Sequence, residues 1–398
     1  MLNALLATVA LLGFGADVDP DAVLKQINEK RTEMSKAAQA EGKQPDFAAI
    51  NAATKKIAED ALAQADLKTV PAEKAYSWAR ICQQVQRQGD IPALIDRFLT
   101  SNPEPQAAFS ANILGLSSAA TAAGTTDAFR FWSQAKPFDD NSKLIHSYYL
   151  AAYIGEDLTQ LMDADKALAL LDKAIADMPE NPPTNQASLK NSATASLTDA
   201  KVAILSNAGR KEEAVNLLDA AIAKADAQAQ RGLKAKRAQL VLVGATAPVL
   251  KAEETIGDWK GWDAYKGKVV LVDFFAHWCG PCINSFGDMK KLYADLQAQG
   301  VEVVHVTRYY GYYGAEKGLS KEQEFAKMKE FVAKHELPWP IVYTDAAFYE
   351  AHGVTGIPHV TVIAPNGKVD KIKVGYSPST FAEFRNHVEQ LIAEAKKG

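Results

Sequence analysis

Residues 269–286 read VVLVDFFAHWCGPCINSF and decide how the C-terminal part of the chain folds. The apolar run at the start of this stretch is typical of a buried strand. After His277 and Trp278, two cysteines enclose Gly280 and Pro281, and a helical pattern begins. Proline is tolerated in the first turn of a helix because its missing N–H would have no partner there. The stretch therefore predicts a strand that leads into a helix with two cysteines at its start.

The pair formed by Cys279 and Cys282 has the spacing of a redox-active dithiol. Free backbone N–H groups and the helix dipole favour an anion at a helix start, so we expect Cys279 to be an exposed thiolate. Gly280 has no side chain, so the sulfur of a partner can approach closely. Zinc binding is the alternative, but it needs two more ligands at metal spacing, and Cys82 is the only other cysteine. The pair therefore indicates thiol–disulfide chemistry.

The chain around this pair resembles the thioredoxin superfamily. Asp273 stands six residues before the first cysteine of WCGPC, and Gly356-Ile357-Pro358 follows the second by about 75 residues. Within the superfamily, the chain is similar to the extracytoplasmic, redoxin-related reductases of the TlpA/ResA type. The segments that carry this likeness are 244–248 (GATAP), 265–270 (YKGKVV) and 362–369 (VIAPNGKV). The resemblance implies a thioredoxin fold over about 150 residues, from Gly244 to the C-terminus.

The resemblance also implies the catalytic roles. Cys279 would attack a substrate disulfide, and Cys282 would resolve the mixed disulfide. Asp273 would be buried and would assist proton transfer at the second cysteine; the alternative is a half-exposed acid at a sheet edge. Many TlpA/ResA-type proteins carry Asn there, so Asp273 favours thioredoxin-like chemistry. Pro358 would follow a cis peptide bond beside the disulfide.

Four more residues are implied to contact the substrate. The backbone of Ile357 would pair with an extended substrate chain as a strand does. Trp278 would cover the dithiol, and Gly280 and Pro281 would lie between the cysteines.

Two histidines and a tyrosine-rich segment accompany these residues. We expect His277 and His359 to flank the site, where either could stabilise the Cys279 thiolate; plain packing is the alternative. Residues 308–314, RYYGYYG, follow the second strand at its C-terminal end, where the sites of α/β folds lie. They are expected to form a mobile aromatic loop that either binds a partner protein or is a packed insertion.

Length and charge limit the remaining possibilities. A chain of 398 residues is expected to form two or three domains. The net charge is −4 and there is no basic run, which argues against nucleic acid as a partner.

The N-terminal residues 1–16 are expected to be a signal peptide. The apolar run from Leu2 to Gly15 has the length of a signal core and is too short to span a bilayer, although no Lys or Arg precedes it. We therefore expect a periplasmic or otherwise extracytoplasmic protein; a cytoplasmic protein with a buried first helix is the alternative. Cys82, four residues after Trp78 on a helical pattern, is expected to be a small buried hydrophobe.

Residues 17–243 are expected to form an all-α domain. The predicted helices are 21–40, 47–65, 71–88, 91–99, 106–123, 127–134, 142–154, 164–178, 187–207, 211–225 and 228–241. Residues 165–175 and 209–222 resemble the second helix of a tetratricopeptide repeat (TPR), so a TPR-like array of helical hairpins is expected. Such arrays bind peptides or partner proteins on a concave surface; a scaffold that only supports the redox domain is the alternative.

Residues 244–398 are expected to form the thioredoxin-like domain, an α/β fold with a mixed central sheet and helices on both faces. The predicted strands are 269–275, 301–307, 341–343, 360–363 and 369–374, and the predicted helices are 281–299, 321–335, 346–351 and 378–396. The first two strands should be parallel, and the last two should form a hairpin at Asn366-Gly367.

The leading hypothesis is an exported thiol-disulfide oxidoreductase that reduces or exchanges disulfides in partner proteins, with the helical domain binding partners or supporting the fold. It would need a membrane or thioredoxin-type electron donor and no cofactor or metal besides the Cys279–Cys282 disulfide. A peroxiredoxin is disfavoured because Ala276 stands where its Thr is needed, three residues before the cysteine. A scaffold protein with a passenger thioredoxin-like domain is the alternative from another class.

Overall fold

The structure is a computed structural model that describes residues 18–396. These residues form two compact units, one ending at Arg210 and the other beginning at Lys211. The domain boundary expected between residues 243 and 244 marks the change from helices to strands and stays a prediction. The expected signal peptide lies outside the described residues. Between residues 18 and 396, no helix has the length and apolar character needed to cross a membrane.

The first unit is all-helical. Its helices are α1 (Pro20–Ala40), α2 (Phe47–Leu62), α3 (Ala72–Gln84), α4 (Ile91–Leu99), α5 (Pro105–Ala122), α6 (Thr125–Gln134), α7 (Asp140–Tyr153), α8 (Ala164–Ala176) and α9 (Thr184–Asn207). Aspartates cap several of these helices; for example, Asp46 accepts a hydrogen bond from the N–H of Ala49 at 3.0 Å. The helices through α6 pack mainly on their chain neighbours, whereas α7 packs mainly on α9. The all-α prediction is confirmed, and the TPR-like character stays a prediction.

Cys82 lies in the core of the first unit. It is fully buried on α3, and burial raises the pKa of its thiol to about 11. It therefore has the environment of the small buried hydrophobe that the sequence predicted.

The second unit begins with two helices and continues as an α/β fold. The helices are α10 (Lys211–Lys224), α11 (Ala227–Leu242), α12 (Gly280–Leu296), α13 (Lys321–Lys334), α14 (Ala346–Ala351) and α15 (Pro378–Ala395). The strands are β1 (Glu254–Ile256), β2 (Val269–Phe274), β3 (Val301–Thr307), β4 (Tyr312–Tyr313), β5 (Glu316–Lys317), β6 (Ile341–Tyr343), β7 (His359–Ile363) and β8 (Val369–Val374).

The central sheet has the order β1-β6-β3-β2-β7-β8. The pairs β2–β3 and β3–β6 are parallel, and the other neighbours are antiparallel. Every residue of β2 is buried, as expected of a central strand covered on both faces. The predicted mixed sheet, with a parallel first pair and a final hairpin, is confirmed. The sequence missed β1 and the separate hairpin β4–β5.

Alternating side chains of β2 face two different cores. Val269 and Leu271 pack in a core that includes residues of α12, α13 and α15. Val272 and Phe274 pack in the opposite core with residues of α11 and α14. The helices therefore cover both faces of the sheet.

Candidate active site

The two cysteines lie where β2 gives way to α12. Cys279 is the N-cap of α12, Pro281 is in its first turn, and a disulfide joins Cys279 to Cys282 with a Cα–Cα distance of 5.3 Å. The backbone N–H of Cys282 donates to Sγ of Cys279 at 3.2 Å. The predicted strand, turn and helix thus place a disulfide at a helix N-terminus.

The expectation that Cys279 is exposed is wrong for this disulfide form. Its exposed fraction is 4%, and that of Cys282 is 1%, because both side chains belong to the core between β2 and α12. The residues around them are open: Trp278 is 47% exposed, and a Cβ added to Gly280 would meet no atom within 4 Å. A partner therefore has space to reach the sulfurs over Gly280.

Asp273 is buried in the same face of the sheet as the disulfide. It stands two residues after Leu271 on β2 and two residues before Phe275, which follows the strand. Those two residues share a core with both cysteines. Asp273 is 1% exposed, and its Oδ1 atom has no hydrogen-bond partner. The alternative of a half-exposed edge acid is therefore wrong, since β2 lies between β3 and β7.

His305 is a partner of Asp273 that the sequence analysis missed. Nε2 of His305 lies 3.2 Å from Oδ2 of Asp273, although the angle does not make a hydrogen bond, and His305 is fully buried. In the parallel register of β2 and β3, Val269 pairs with Val301. Asp273 and His305 each stand four residues further along their strand, so they are adjacent. The sequence signal for this contact was a polar residue at the fifth position of each run: Asp273 in the run that begins at Val269, and His305 in the run that begins at Val301.

Aromatic rings surround His305 on the other sides. The ring centroids of Phe275, Phe286 and Trp339 lie 4.7, 5.5 and 4.9 Å from that of His305. The carboxyl group of Asp273 is therefore the acidic neighbour of a histidine ring that otherwise lies among aromatic rings.

Lys373 lies in the same row of the sheet, because Lys373 pairs with Val360 and Val360 pairs with Asp273. Its Nζ donates to the carbonyl of Gly375 at 2.6 Å. Burial lowers the pKa of Lys373, and the charge of Asp273 acts in the opposite direction. Asp273 thus has a cationic or protonatable residue on each side.

Ile357 and Pro358 form the segment that precedes β7. The peptide bond between them is cis, and Pro358 is buried with its carbonyl accepting from the N–H of Gly375 at 2.8 Å. Ile357 is half-buried, and no hydrogen bond within residues 18–396 uses its backbone N–H or C=O. Its main chain is therefore available to another chain.

Comparison with known proteins identifies the family. The Redoxin family matches residues 242–391. The thiol-disulfide oxidoreductase ResA of Geobacillus thermodenitrificans is 32% identical over 152 residues, which is 38% of this chain and 79% of that protein. This chain belongs to the ResA family of the thioredoxin superfamily. It is therefore a thiol-disulfide oxidoreductase, as the sequence predicted.

A second ResA protein gives the same match. ResA of Bacillus subtilis is 32% identical over 133 residues, which is 33% of this chain and 67% of that protein. A crystal structure of a thiol:disulfide interchange protein from Chlorobium tepidum TLS has 23% identity and a TM-score of 0.30, over 37% of this chain and 97% of that chain. The Redoxin match leaves α1–α10 and all of α11 except its last residue outside the family region.

The tyrosine-rich segment of this ResA-family domain is anchored, which corrects the expectation of a mobile loop. The buried carboxylate of Glu324 accepts hydrogen bonds from the N–H of Tyr310 at 2.9 Å and of Gly311 at 2.7 Å. The hairpin β4–β5 follows. The interpretation as a packed insertion accounts for these contacts.

His277 packs into this insertion. Its ring centroid lies 4.6 Å from that of Tyr313, and it is 7% exposed. Burial lowers the pKa of His277, and neither ring nitrogen has a hydrogen-bond partner among the described residues. The packing interpretation therefore describes His277 better than a charged tuning residue.

His359 does not flank the disulfide, so that expectation is wrong. It pairs with Phe274 in the sheet register and packs in the opposite core, with ring centroids 5.4 Å apart. His352 lies beside it, with Nδ1 3.0 Å from Oγ1 of Thr361. Burial lowers the pKa of His352 to about 3, helped by His359, and lowers that of His359 to about 4.

Because of His352 and His359, the free energy of unfolding is expected to fall as the pH becomes acidic. Both stay neutral in the folded chain but bind protons in the unfolded chain below their ordinary pKa of 6.5. The free energy of unfolding should therefore fall by about 1.4 kcal/mol per pH unit for each histidine as the pH drops from about 6.5 towards 4.5. Hydrogen exchange of β2 and β7 amides, measured at several pH values, gives this slope.

The control is the pair of substitutions His352→Gln and His359→Gln, which removes both titrating groups. The slope should flatten over the same pH range even if the absolute stability falls. An unchanged slope in the double variant would assign the acid sensitivity to other groups.

Proposed function

We propose that this protein reduces or exchanges disulfide bonds in partner proteins, with Cys279 as the attacking residue and Cys282 as the resolving residue. The observation that carries the proposal is the N-cap position of Cys279, whose Sγ accepts the N–H of Cys282 at 3.2 Å. In the reduced protein this N–H and the helix start stabilise a thiolate at Cys279. Cys282 lies one turn inside the helix and is the deeper sulfur.

The reaction transfers two electrons in two exchange steps. The thiolate of Cys279 attacks one sulfur of the substrate disulfide, that bond breaks, and the other substrate sulfur leaves as a thiolate. Cys282 loses its proton and attacks Sγ of Cys279. The mixed disulfide breaks, the substrate leaves as a dithiol after protonation, and the Cys279–Cys282 disulfide forms. A dithiol donor must then reduce it, and we propose a membrane or thioredoxin-type protein in that role.

Asp273 is proposed to accept the proton that Cys282 loses. It is a buried carboxylate on the sheet face that carries both cysteines, and its Oδ1 has no hydrogen-bond partner among the described residues. His305 acts through Asp273, so we describe it as a positioning residue. No cofactor besides the disulfide takes part in this scheme.

The substrate is proposed to bind as an extended chain along Ile357. The free N–H and C=O of Ile357 offer strand-like hydrogen bonds. Trp278, which is half-exposed and 5.4 Å from Tyr310 between ring centroids, offers an apolar surface next to the sulfurs. Pro358 holds this backbone beside the disulfide, with Gly280 and Pro281 on the open side.

We also propose an extracytoplasmic location, which the apolar run at residues 2–15 and the relationship to ResA support. The first unit is proposed to bind partner proteins or to support the redox domain.

The reduction potential of the Cys279–Cys282 couple tests the proposal. The full chain is equilibrated in dithiothreitol or glutathione buffers, and accessible thiols are trapped and counted. Because the CGPC sequence matches that of reducing thioredoxins, we expect a value near or below about −250 mV. A value of about −120 to −180 mV would indicate an oxidase or isomerase instead. The absence of a reversible couple would overturn the redox proposal and favour the scaffold alternative.

A further inference from the structure

A groove with a volume of about 930 Å³ in the second unit is lined by Trp278, the residue that precedes Cys279 in the chain. Ile357, which packs against the core that contains both cysteines, also lines it. Arg308 and Tyr310, which come after β3 in the chain, line the groove. Arg231 and Lys234 of α11 line it as well. A substrate that reaches the disulfide therefore passes along a surface that α11 helps to build.

Helix α11 is fixed to the segment that leads to Ile357. Gly353 has a φ of +63°, and a Cβ there would lie 2.3 Å from the carbonyl oxygen of Ala235. Nε2 of Gln239 also donates to the carbonyl of Gly353 at 2.7 Å. Only glycine permits this close approach at that conformation. The α11 wall is thus held in place by main-chain contact with the substrate-binding segment.

The charges in the groove are mostly positive and are not neutralised. Arg231, Lys234 and Arg308 are exposed, and none has a carboxylate within 4.0 Å among the described residues. Glu350 is the one acidic side chain among the described residues that line the groove. By contrast, Arg237 on the same helix is paired with Asp219. The three cations of the groove are therefore free to meet an anion from another molecule.

Arg308 is held in a defined position by aromatic rings rather than by a carboxylate. Its Cζ atom lies 5.5 Å from the ring centroid of Tyr310 and 5.1 Å from that of Tyr349. Stacking on aromatic rings orients a guanidinium while leaving its N–H edge available for a carboxylate. The net charge of the chain is −4, so the positive groove is a local reversal of sign.

We propose that this groove selects disulfide substrates in which Asp or Glu residues lie next to the target cysteine in an extended segment. The inference rests on the proposed function, because Trp278 and Ile357, which are proposed to contact the substrate, line the groove. Carboxylates on the substrate would pair with Arg231, Lys234 and Arg308 while its backbone follows Ile357. Charge complementarity of this kind raises the association rate and suppresses wrong partners.

The test compares two synthetic peptides that differ only in charge. Each holds one disulfide, flanked by Asp and Glu in one peptide and by Asn and Gln in the other. The rate constants for their reduction by the reduced full chain are followed by tryptophan fluorescence. We expect the acidic peptide to react about tenfold faster at low ionic strength. The ratio should approach one at about 1 M salt, where the Debye length is short.

Two triple variants locate the effect. The variant Arg231→Gln/Lys234→Gln/Arg308→Gln should bring the rate ratio of the two peptides close to one. The matched control is Lys36→Gln/Lys334→Gln/Lys371→Gln, which removes the same charge from exposed lysines that do not line the groove. The control should keep the ratio of the unmodified protein.

Each outcome separates the inference from the proposed function. Equal rates for the two peptides with the unmodified protein would overturn the charge selection while the exchange reaction itself stands. If the control variant also brought the rate ratio of the two peptides close to one, the effect would come from the overall charge of the protein. That result would overturn the role of the groove. The absence of reduction of either peptide would overturn the proposed function itself.

Discussion

Replacing Cys279 with Ser is expected to lower the rate of disulfide exchange roughly a thousandfold, because a hydroxyl at this N-cap is not ionised and does not attack a disulfide. Replacing Cys282 with Ser should instead leave the attack intact and stop the reaction at the mixed disulfide. The measurement is stopped-flow reduction of a peptide disulfide, with the covalent complex detected by mass spectrometry under non-reducing conditions.

The matched control is Cys82→Ala, which removes the third thiol from the core of the first unit. Its exchange rate should equal that of the unmodified protein. If Cys279→Ser accumulated the mixed disulfide and Cys282→Ser did not, the attacking and resolving roles would be reversed.

Replacing Asp273 with Asn is expected to slow resolution of the mixed disulfide about a hundredfold near pH 7, while the first attack changes little. The amide has nearly the same volume but accepts no proton from Cys282, and general-base assistance contributes on the order of 10²–10⁴-fold. Single-turnover kinetics with a fluorescent peptide disulfide separate the two steps, because attack and release give different signals.

The control for Asp273→Asn is a measurement of its free energy of unfolding. Asn keeps the volume of the buried Asp273 side chain, so the free energy of unfolding is measured beside the kinetics to detect any structural damage. His305→Gln should slow the same step by a smaller factor, since His305 acts through Asp273. A slower first attack together with lower stability would show that Asp273 supports the fold rather than the proton transfer.

The regular elements of the second unit could be predicted from the sequence. The bounds of β3, β6 and β8 agree with the prediction. β3 and β6 are short, mainly apolar runs, and β8 follows the predicted turn at Asn366-Gly367. The helix start at the cysteines also follows from local signals, and the parallel pairing of β2 with β3 follows from the general rule for two strands joined by a helix. These features depend on periodicity and on the residue types at the ends of elements.

Features that depend on distant contacts could not be predicted. β1 is a three-residue, partly exposed edge strand that exists through its pairing with β6. The tyrosine segment is ordered by Glu324, which lies more than ten residues later in the chain. His359 follows Pro358 directly, yet it faces the opposite core from the disulfide, and only the register of β7 with β2 decides that face.

The burial of the two cysteines could not be predicted from the sequence either. A helix N-terminus indicates where an anion is stabilised, but it does not say how deeply the sulfur lies. That depth follows from the packing of α12 on β2 and the surrounding core. The position of the cysteine pair at a helix start could therefore be predicted, whereas the burial of both sulfurs in the disulfide form could not.

The contact of Gly353 with Ala235 bears on how fragments of this protein should be designed. A fragment trimmed to the family match would start at residue 242 and would delete nearly all of α11. It would retain the cysteines but would leave Gly353 facing solvent and remove two of the groove's three cations. Assays of such a fragment would report the exchange chemistry of the two cysteines and would lose the proposed preference for acidic substrates.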